Sequence, residues 1–457
     1  MKTTKYLGIA ALALGLVTFS ACSDDDNGSD KTMTIQKVYL QDADASVKDR
    51  EVDFARLGQL VRIEGTGFTG LKRIYINGYQ TEFNNALMTD NNVWVQFSSN
   101  TPIADADASV RNTIRFWKSE TNYVDYQFTV RAASPSITSI SCTLPQPGET
   151  VVVNGTNLQE TTSVTLPGGT TITTGIISDE DGEWFSFTMP DGISEGGSII
   201  SEGANGQAKS PAYFNEKRGM ILDFDGNGTQ GGWSATYTSD DDVQDPLNSG
   251  RGTCVPLVPA SVLAEGGIKN GAHGNGWFTA GNDVDDWTQF YPAVPADTPV
   301  EEVALQFDIY CPMPWTGAGY IEFTFQNNLS NYGWGSTETT NTKNITYPTA
   351  VCWCPWFDET TNKVTDEPFM TTGWQTITIP LSKVGKYQDE GVYTFADVIA
   401  DRNGGSYKNF GMFLVNSDIK IDDDNVIETG MFNQMIYVDN WRIVPYKSFT
   451  ISDFPEE

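Results

Sequence analysis

Tryptophan residues concentrate in the C-terminal half of the 457-residue chain, where nine of the twelve lie beyond residue 220. Several stand beside proline, glycine or asparagine, in the segments around Trp315, Trp334 and Trp353-Cys-Pro-Trp356. The flat face of an indole packs against the C–H-rich face of a sugar ring, while amides and carboxylates at the rim hydrogen-bond the hydroxyl groups. This combination favours a site for an uncharged carbohydrate, with Trp315, Trp334, Trp353 and Trp356 as stacking residues.

Alternating apolar and polar residues predict antiparallel strands in the same half, at 304–310, 320–326 and 374–381. In each run the apolar members would face a core and the polar members would face outward. We therefore expect Tyr320 and Glu322 to join the carbohydrate site, as a ring and a hydroxyl acceptor. Helical periodicity is nearly absent, so the region is predicted to form one large β-sandwich of jelly-roll type.

The net charge of the chain limits the kinds of molecule that it can bind. The chain has 28 Lys and Arg against 59 Asp and Glu, a net charge of −31. Repulsion excludes nucleic acid as a partner, and it disfavours anionic lipid surfaces and acidic polysaccharides over most of the surface. The single histidine, His273, argues against His-rich metal sites and against most Ser–His or Cys–His catalysis.

No metal or cofactor is predicted. The sequence Asp223-Phe-Asp-Gly-Asn-Gly imitates the start of an EF-hand loop, but Ser234 stands where the loop needs a bidentate Glu. Five cysteines follow Cys22, an odd number that cannot pair completely within the chain. Whether Cys352 or Cys354 pairs with Cys311 is left open by the sequence.

A repeat with an offset of 90 residues indicates two duplicated domains. The segment 58–68, GQLVRIEGTGF, aligns without gaps with 148–158, GETVVVNGTNL. The register holds as far as Trp94-Val-Gln-Phe and Trp184-Phe-Ser-Phe. Short alternating runs separated by glycine turns in about 90 residues predict an immunoglobulin-like sandwich for each copy.

The N-terminus reads as an export signal. Lys2 and Lys5 precede an apolar run at 7–19, and the run ends in Ser-Ala-Cys22. These last residues resemble a bacterial lipobox, which implies cleavage after residue 21 and lipidation of Cys22; an ordinary signal peptide is the alternative. The acidic run that follows, Ser-Asp-Asp-Asp-Asn at 23–27, resembles the export signal of Bacteroidetes surface lipoproteins. We therefore expect a lipid anchor in the outer membrane, with the protein facing the cell exterior.

Several motifs together resemble one family. In the second repeat, Pro135-Ser-Ile followed by Gly155-Thr-Asn-Leu is similar to IPT/TIG domains. The C-terminal region resembles the xyloglucan-binding type of domain found in surface glycan-binding lipoproteins of Bacteroidetes polysaccharide-utilisation systems. Its motifs, in chain order, are Asp223-Phe-Asp-Gly, Pro314-Trp315, Trp353-Cys-Pro-Trp356, Thr372-Gly-Trp374 and Tyr437-Val-Asp-Asn-Trp-Arg442.

The resemblance implies a non-catalytic protein that binds a neutral polysaccharide or oligosaccharide. It implies delivery of the glycan to neighbouring hydrolases and to a TonB-dependent transporter with its lid lipoprotein. Within the family the binding residues are aromatics of the C-terminal domain, so the role is carried to Trp315 and Trp353 first. Trp287, in Asp-Asp-Trp-Thr-Gln-Phe, is a third candidate.

Two other function classes stay open on the residues alone. A glycoside hydrolase or lyase would need a pair of carboxylates across the scissile bond, and the acidic composition does not exclude one. Asp308 and Glu322 on the polar strand faces are equally explained as hydroxyl acceptors. A protein-binding surface adhesin would share the anchor and the repeats.

The predicted organisation is all-β throughout the mature chain. It comprises a signal peptide at 1–21, an acidic tether at 22–32, IPT/TIG-like sandwiches at 33–133 and 134–216, and a glycan-binding β-sandwich at 217–457.

Overall fold

The structure, a computed structural model, describes residues 31–42, 46, 48–231, 244–257, 276–280, 285–325, 350–404, 408–421 and 424–453. The chain divides into two compact units, with the division between Val130 and Arg131. The predicted signal peptide, Cys22 and Trp334 lie outside the described residues. Within the described ranges, no helix combines the length and apolar character needed to cross a bilayer.

The first unit contains an immunoglobulin-like sandwich, called here the first sandwich. One sheet has the strand order β2-β1-β4-β7 and the other β6-β5-β8-β9, and β3 pairs with β10. The strands are β1 (Thr34–Leu40), β2 (Arg50–Glu51), β3 (Phe54–Arg56), β4 (Leu60–Thr66), β5 (Arg73–Ile76), β6 (Tyr79–Thr81), β7 (Asn92–Gln96), β8 (Thr113–Ser119), β9 (Asn122–Gln127) and β10 (Thr129–Arg131).

The second unit begins with a sandwich of the same design, the second sandwich. Its sheets have the orders β11-β12-β16-β15 and β14-β13-β17-β18. The strands are β11 (Ser136–Ile140), β12 (Thr150–Thr156), β13 (Ser163–Thr165), β14 (Thr171–Ile172), β15 (Ile177–Ser178), β16 (Trp184–Thr188), β17 (Ile200–Gly203) and β18 (Gly206–Lys209).

The repeated glycines of the two sandwiches are required by close backbone contact. A Cβ atom at Gly65 would lie 1.9 Å from the carbonyl oxygen of Thr34, and one at Gly155 would lie 1.9 Å from that of Ser136. In each copy this glycine lies beside a register shift in an antiparallel strand pair, β1 with β4 or β11 with β12. A residue without a Cβ is therefore needed at the same point of both copies.

The rest of the second unit is a larger two-sheet structure, the C-terminal sandwich. One sheet has the order β19-β31-β22-β27, with β20 also pairing with β31, and the other has the order β21-β28-β23-β24. The elements are β19 (Met220–Leu222), β20 (Val255–Leu257), β21 (Gly276–Phe278), β22 (Val303–Tyr310), β23 (Tyr320–Thr324), β24 (Ala350–Trp353), β25 (Phe357–Asp358), β26 (Lys363–Val364), β27 (Gln375–Pro380), α1 (Phe395–Gly404), β28 (Gly411–Val415), β29 (Ile419–Lys420), β30 (Val426–Ile427) and β31 (Ile436–Pro445).

Aromatic side chains from both sheets fill the interior of the C-terminal sandwich. Phe307 of β22 and Phe323 of β23 meet with ring centroids 4.9 Å apart, and Trp441 of β31 lies 5.5 Å from Phe410. Each of these four side chains is fully buried. The predicted all-β fold, two immunoglobulin-like sandwiches followed by a larger β-sandwich, is confirmed.

The outer face of strand β22 is buried, although alternation predicted it to face outward. Gln306 and Asp308 are both fully buried. The Thr143 hydroxyl of the second sandwich donates a hydrogen bond to Gln306 Oε1 at 3.1 Å, and its amide donates to Thr376 Oγ1 of β27 at 2.9 Å. The second sandwich thus covers this face, and the suggestion that Asp308 accepts hydrogen bonds from a ligand is wrong.

The carboxylate of Asp308 lies at the centre of the contact between the second sandwich and the C-terminal sandwich. Arg251 Nη1 donates to Asp308 Oδ2 at 3.0 Å, Thr376 donates to Oδ1 at 2.6 Å, and Arg442 Nη2 lies 3.9 Å from Oδ1. Arg251 also donates to the carbonyl oxygen of Leu144 in the second sandwich, at 3.0 Å. Both arginine side chains are at most 1% exposed, and Asp308 is the carboxylate that they share; Arg251 also lies 3.3 Å from Glu149 Oε2.

Replacing Asp308 with Ala should strongly destabilise the second unit, because two buried guanidinium groups would lose the carboxylate that they share. We expect a loss of about 3–5 kcal/mol in the free energy of unfolding, measured by urea denaturation. The control is Glu51→Ala, which removes the exposed Lys37–Glu51 pair and should leave the transition nearly unchanged. Equal effects of the two substitutions would contradict the importance given to the buried network.

Candidate functional site

The structure places Trp315 and Trp356 in the core, not on the surface. Both side chains are 0% exposed. The Trp315 indole N–H donates to the carbonyl oxygen of Ala318 at 2.6 Å, and that of Trp356 donates to the carbonyl oxygen of Gly319 at 2.6 Å. The prediction that these two rings stack on a sugar is therefore wrong. Their Pro- and Gly-rich surroundings supply the carbonyl groups that satisfy a buried indole.

Trp287 is also a core residue and is 1% exposed. Its indole N–H donates to Asp285 Oδ1 at 2.9 Å, and the Arg402 guanidinium lies 3.7 Å from its ring centroid. Asp285 in turn accepts a hydrogen bond from Arg402 at 2.9 Å. Trp287 belongs to a buried ion-pair cluster, so its predicted role as an exposed platform is wrong as well.

Tyr320 and Glu322 occupy the face opposite to the sandwich interior, as alternation predicted, but that face is covered. Tyr320 is fully buried and Glu322 is 1% exposed. The Tyr320 hydroxyl lies 2.6 Å from Ser417 Oγ. Neither side chain is open to a ligand, and the two predictions are wrong for that reason.

Trp353 is the sequence candidate that keeps an exposed part within the described chain. It ends β24, the edge strand of its sheet, and its side chain is half-buried. The ring makes edge-to-face contacts with Phe307 at 5.5 Å, Phe369 at 5.5 Å and Trp315 at 5.8 Å. These neighbours fix the orientation of the indole while one part of it reaches the surface.

Trp353 lines a groove at the open edge of the C-terminal sandwich, called here the edge groove. The groove encloses about 540 Å³ and runs between the two edge strands, β24 on one side and β27 with the following turn on the other. Its lining comprises Val351, Cys352, Trp353, Cys354, Phe357, Asp358, Glu359, Thr360, Thr378, Ile379, Ser382, Lys383 and Gln388.

The polar groups of the edge groove suit a ligand rich in hydroxyl groups. Asp358 accepts hydrogen bonds from the Thr361 hydroxyl and the Thr360 amide, both at 2.8 Å. These bonds, that of the Thr361 hydroxyl foremost, hold the pKa of Asp358 below its usual range, so it is an anionic acceptor at neutral pH. The opposite wall carries Lys383 and Gln388 as donors.

The same geometry argues against hydrolysis in the edge groove. A glycosidase needs two carboxyl groups on opposite sides of the scissile bond. Asp358 and Glu359 are adjacent in sequence and lie on one wall, and among the described residues no carboxylate lines the groove from the β27 side. Burial raises the pKa of the Cys354 thiol, which keeps it neutral and unsuited to nucleophilic attack.

The described residues include no group of three or more His, Cys, Asp or Glu that could hold a metal ion. Asp223 in the EF-hand-like segment accepts hydrogen bonds from the amides of Asp225 at 3.0 Å and Asn227 at 2.8 Å, which closes the loop on itself. The five cysteines after Cys22 are all buried, and Cys142, Cys254, Cys311 and Cys354 are free thiols.

Comparison with known proteins places these features in a family context. Residues 214–445 match the sequence profile of the family described as surface glycan-binding protein B xyloglucan binding domain. An IPT/TIG domain-containing protein of Bacteroides ovatus is 25% identical over 192 residues, which cover 42% of this chain and 37% of that protein. The matched segment thus spans little more than a third of the relative's length.

Two solved structures resemble the chain over most of its length. Surface glycan-binding protein PbSGBP-B from Prevotella bryantii has a TM-score of 0.62 at 19% identity, with 91% of this chain and 99% of that chain covered. SGBP-B from a complex xyloglucan utilization locus in Bacteroides uniformis has a TM-score of 0.44 at 18% identity, with 91% and 100% covered. The first of these supports the fold, and the family match, which spans just over half of the chain, confirms the resemblance predicted from the C-terminal motifs.

The stability of a Trp315→Ala variant should show whether Trp315 is a core residue or an exposed ligand-binding residue. Removal of a fully buried indole leaves a cavity and an unpaired Ala318 carbonyl, so we expect a loss of about 3–5 kcal/mol of stability. Trp353→Ala, at a half-buried edge position, should cost clearly less. Thermal denaturation measures both, and a Trp315→Ala protein with an unchanged Tm would contradict the assignment of Trp315 to the core.

Proposed function

We propose that this chain, which belongs to the surface glycan-binding protein B family, holds a neutral polysaccharide in the edge groove beside Trp353. The observation that carries the proposal is the position of Trp353. Among the described sequence candidates, its ring alone combines an exposed part with polar groups on both sides. Trp334, which lies outside the described residues, stays a predicted contributor.

The chemistry of the edge groove fits a pyranose chain. An indole supplies the apolar surface for the C–H face of a ring, and Asp358, Lys383 and Gln388 supply acceptors and donors for hydroxyl groups. A groove open at the sandwich edge admits a long chain, whose ends can extend beyond the protein. The family description names xyloglucan, so a β-glucan backbone is the substrate class that we propose first.

Binding without cleavage is the mode that the groove favours. In the part of the chain that the structure describes, the β27 wall carries no carboxylate, so these lining residues lack the pair that glycosidic hydrolysis requires. An adhesin that binds protein is less well supported, because hydroxyl acceptors and donors flank the exposed ring where a protein interface would have a dry apolar centre.

The cellular role follows from the sequence features at the N-terminus. A lipid on Cys22 would hold the protein on the outer membrane, facing the cell exterior, and the acidic segment after it would act as a tether. There the protein would pass its glycan to partner hydrolases and to a TonB-dependent transporter with its lid lipoprotein. The two immunoglobulin-like sandwiches would act as spacer domains in the chain between the anchor and the C-terminal sandwich.

Substitution of Trp353 by Ala should weaken polysaccharide binding about tenfold, which corresponds to the loss of one aromatic stacking contact. Affinity gel electrophoresis with xyloglucan, mixed-linkage β-glucan, mannan and xylan measures the effect. The matched control is Trp184→Ala, which removes a half-buried indole from the second sandwich and should leave retardation unchanged.

Two results would overturn the proposed function. Retardation of Trp353→Ala equal to that of the unmodified protein would show that the edge groove is not the site. Release of reducing sugar during incubation with the retarding glycan would show that the protein is an enzyme.

Replacing Cys22 with Ala should release the protein from the membrane, because a single thioether-linked lipid anchor depends on that sulfur. Cell fractionation with surface proteolysis should find the unmodified protein in the outer membrane and accessible to protease, and the variant outside the membrane fraction. Membrane association of the variant would refute lipid anchoring at this residue.

A further inference from the structure

The first sandwich carries an arginine- and aromatic-rich surface on the outer face of its sheet β6-β5-β8-β9. Register places Arg73 opposite Trp117, Tyr75 opposite Arg115, and Trp117 opposite Tyr123. Directly opposed residues of antiparallel strands share a face. These five side chains therefore form one continuous surface, called here the arginine–aromatic face.

Contacts between neighbours hold the arginine–aromatic face in place. The Arg73 guanidinium lies 4.8 Å from the Trp117 ring centroid, and the Arg115 guanidinium lies 4.7 Å from that of Tyr123. Arg115 is itself fixed by Asp125, with its Nε and Nη2 donating to the two carboxylate oxygens at 2.6 and 2.8 Å. Rings that are already oriented lose little conformational freedom when a ligand binds them.

The second sandwich shows that the fold does not require such a face. Its corresponding sheet is paired in the same way, with β13 between β14 and β17 and with β18 beyond β17. No aromatic side chain or arginine lies at the equivalent positions, which are Ser163, Thr165, Ile200, Glu202, Gln207 and Lys209. The aromatic residues of the first copy thus need an explanation other than stability.

The rings of the arginine–aromatic face are partly exposed, and the sandwich that carries them has little net charge. Tyr123 is 49% exposed, and Tyr75 and Trp117 are partly exposed. Residues 31–130 contain 11 Lys and Arg against 12 Asp and Glu, whereas residues 131–457 contain 15 against 43. The first sandwich is therefore nearly neutral, whereas the second unit is strongly acidic.

We propose that the arginine–aromatic face is a second glycan-binding surface, which engages the same neutral polysaccharide as the edge groove. The inference rests on the proposed function and extends it to the first sandwich. Trp117, Tyr75 and Tyr123 offer ring faces to pyranose units, and Arg73 and Asp125 offer a donor and an acceptor for their hydroxyl groups. A polysaccharide that contacts two surfaces of one protein is retained longer than by either alone.

A glycan explains this face better than a protein partner does. The centre of a stable protein interface is apolar and excludes water, with aliphatic side chains packed between the aromatic ones. The outward-facing positions of this sheet carry Gln80, Tyr75, Arg73, Arg115, Trp117, Tyr123 and Asp125, and none of them is aliphatic. Ring faces separated by hydrogen-bonding groups are the pattern that a sugar chain needs.

The test uses the full-length mature protein in affinity gels that contain xyloglucan, mixed-linkage β-glucan, mannan or xylan. Trp117→Ala combined with Tyr123→Ala should weaken retardation about tenfold, in line with the loss of one to two stacking contacts. The control pair, Glu202→Ala with Gln207→Ala, changes the equivalent positions of the second sandwich and should have no effect. If the double variant fails to fold, the single variant Tyr123→Ala, which changes the most exposed ring of the face, is tested in the same gels and should also weaken retardation.

Each other outcome has a defined meaning. Binding by the unmodified protein that is unaffected by the Trp117/Tyr123 substitutions overturns this inference, points to a protein partner for the face, and leaves the proposed function standing. Equal weakening by the control pair overturns it too, since the effect would not be specific to the face. Failure of the unmodified protein to bind any of the four glycans overturns the proposed function and this inference together.

Discussion

The buried carboxylate of Asp308 fixes how the second unit is built and, through that, where a ligand can bind. It is shared by Arg251 and Arg442, and together with Gln306 and Thr143 it joins the second sandwich to the outer face of a C-terminal sheet. A face covered by another domain cannot carry a polysaccharide. The outer face of the opposite sheet is also buried at Tyr320 and Glu322, and the described structure has a groove at the edge of the sandwich, between β24 and β27.

The edge groove combines a ring of fixed orientation with polar groups from two segments. The inner half of Trp353 is held by Phe307, Phe369 and Trp315, so its orientation is set before any ligand arrives. The polar groups come from two segments, one following β24 and one following β27, and neither contributes a carboxylate opposite to Asp358. Under the proposed function, such a groove would orient and retain a sugar chain without acting on its bonds.

Sequence patterns predicted the strands and the repeat well, because both depend on local periodicity. The ninety-residue offset places Gly65 and Gly155 at equivalent backbone contacts, and the apolar members of 304–310 and 320–326 do face a core. Alternation separates two faces of a strand, but it does not reveal whether the second face is covered, which is why Asp308, Tyr320 and Glu322 were misplaced. Alternation also does not reveal which group accepts the hydrogen bond of a tryptophan indole.

Trp315 and Trp356 donate to carbonyl groups of the segment 318–319, and those contacts depend on tertiary structure. Lys383 and Gln388 were missed because the pairing of two distant edges is invisible in a single sequence.

The most direct test of the account is a crystal structure of the protein with a bound xylogluco-oligosaccharide. The account predicts electron density for the sugar in the edge groove, with one pyranose ring parallel to the Trp353 indole and hydroxyl groups within hydrogen-bonding distance of Asp358 or Lys383. Density elsewhere on the C-terminal sandwich, with the edge groove empty, would contradict it.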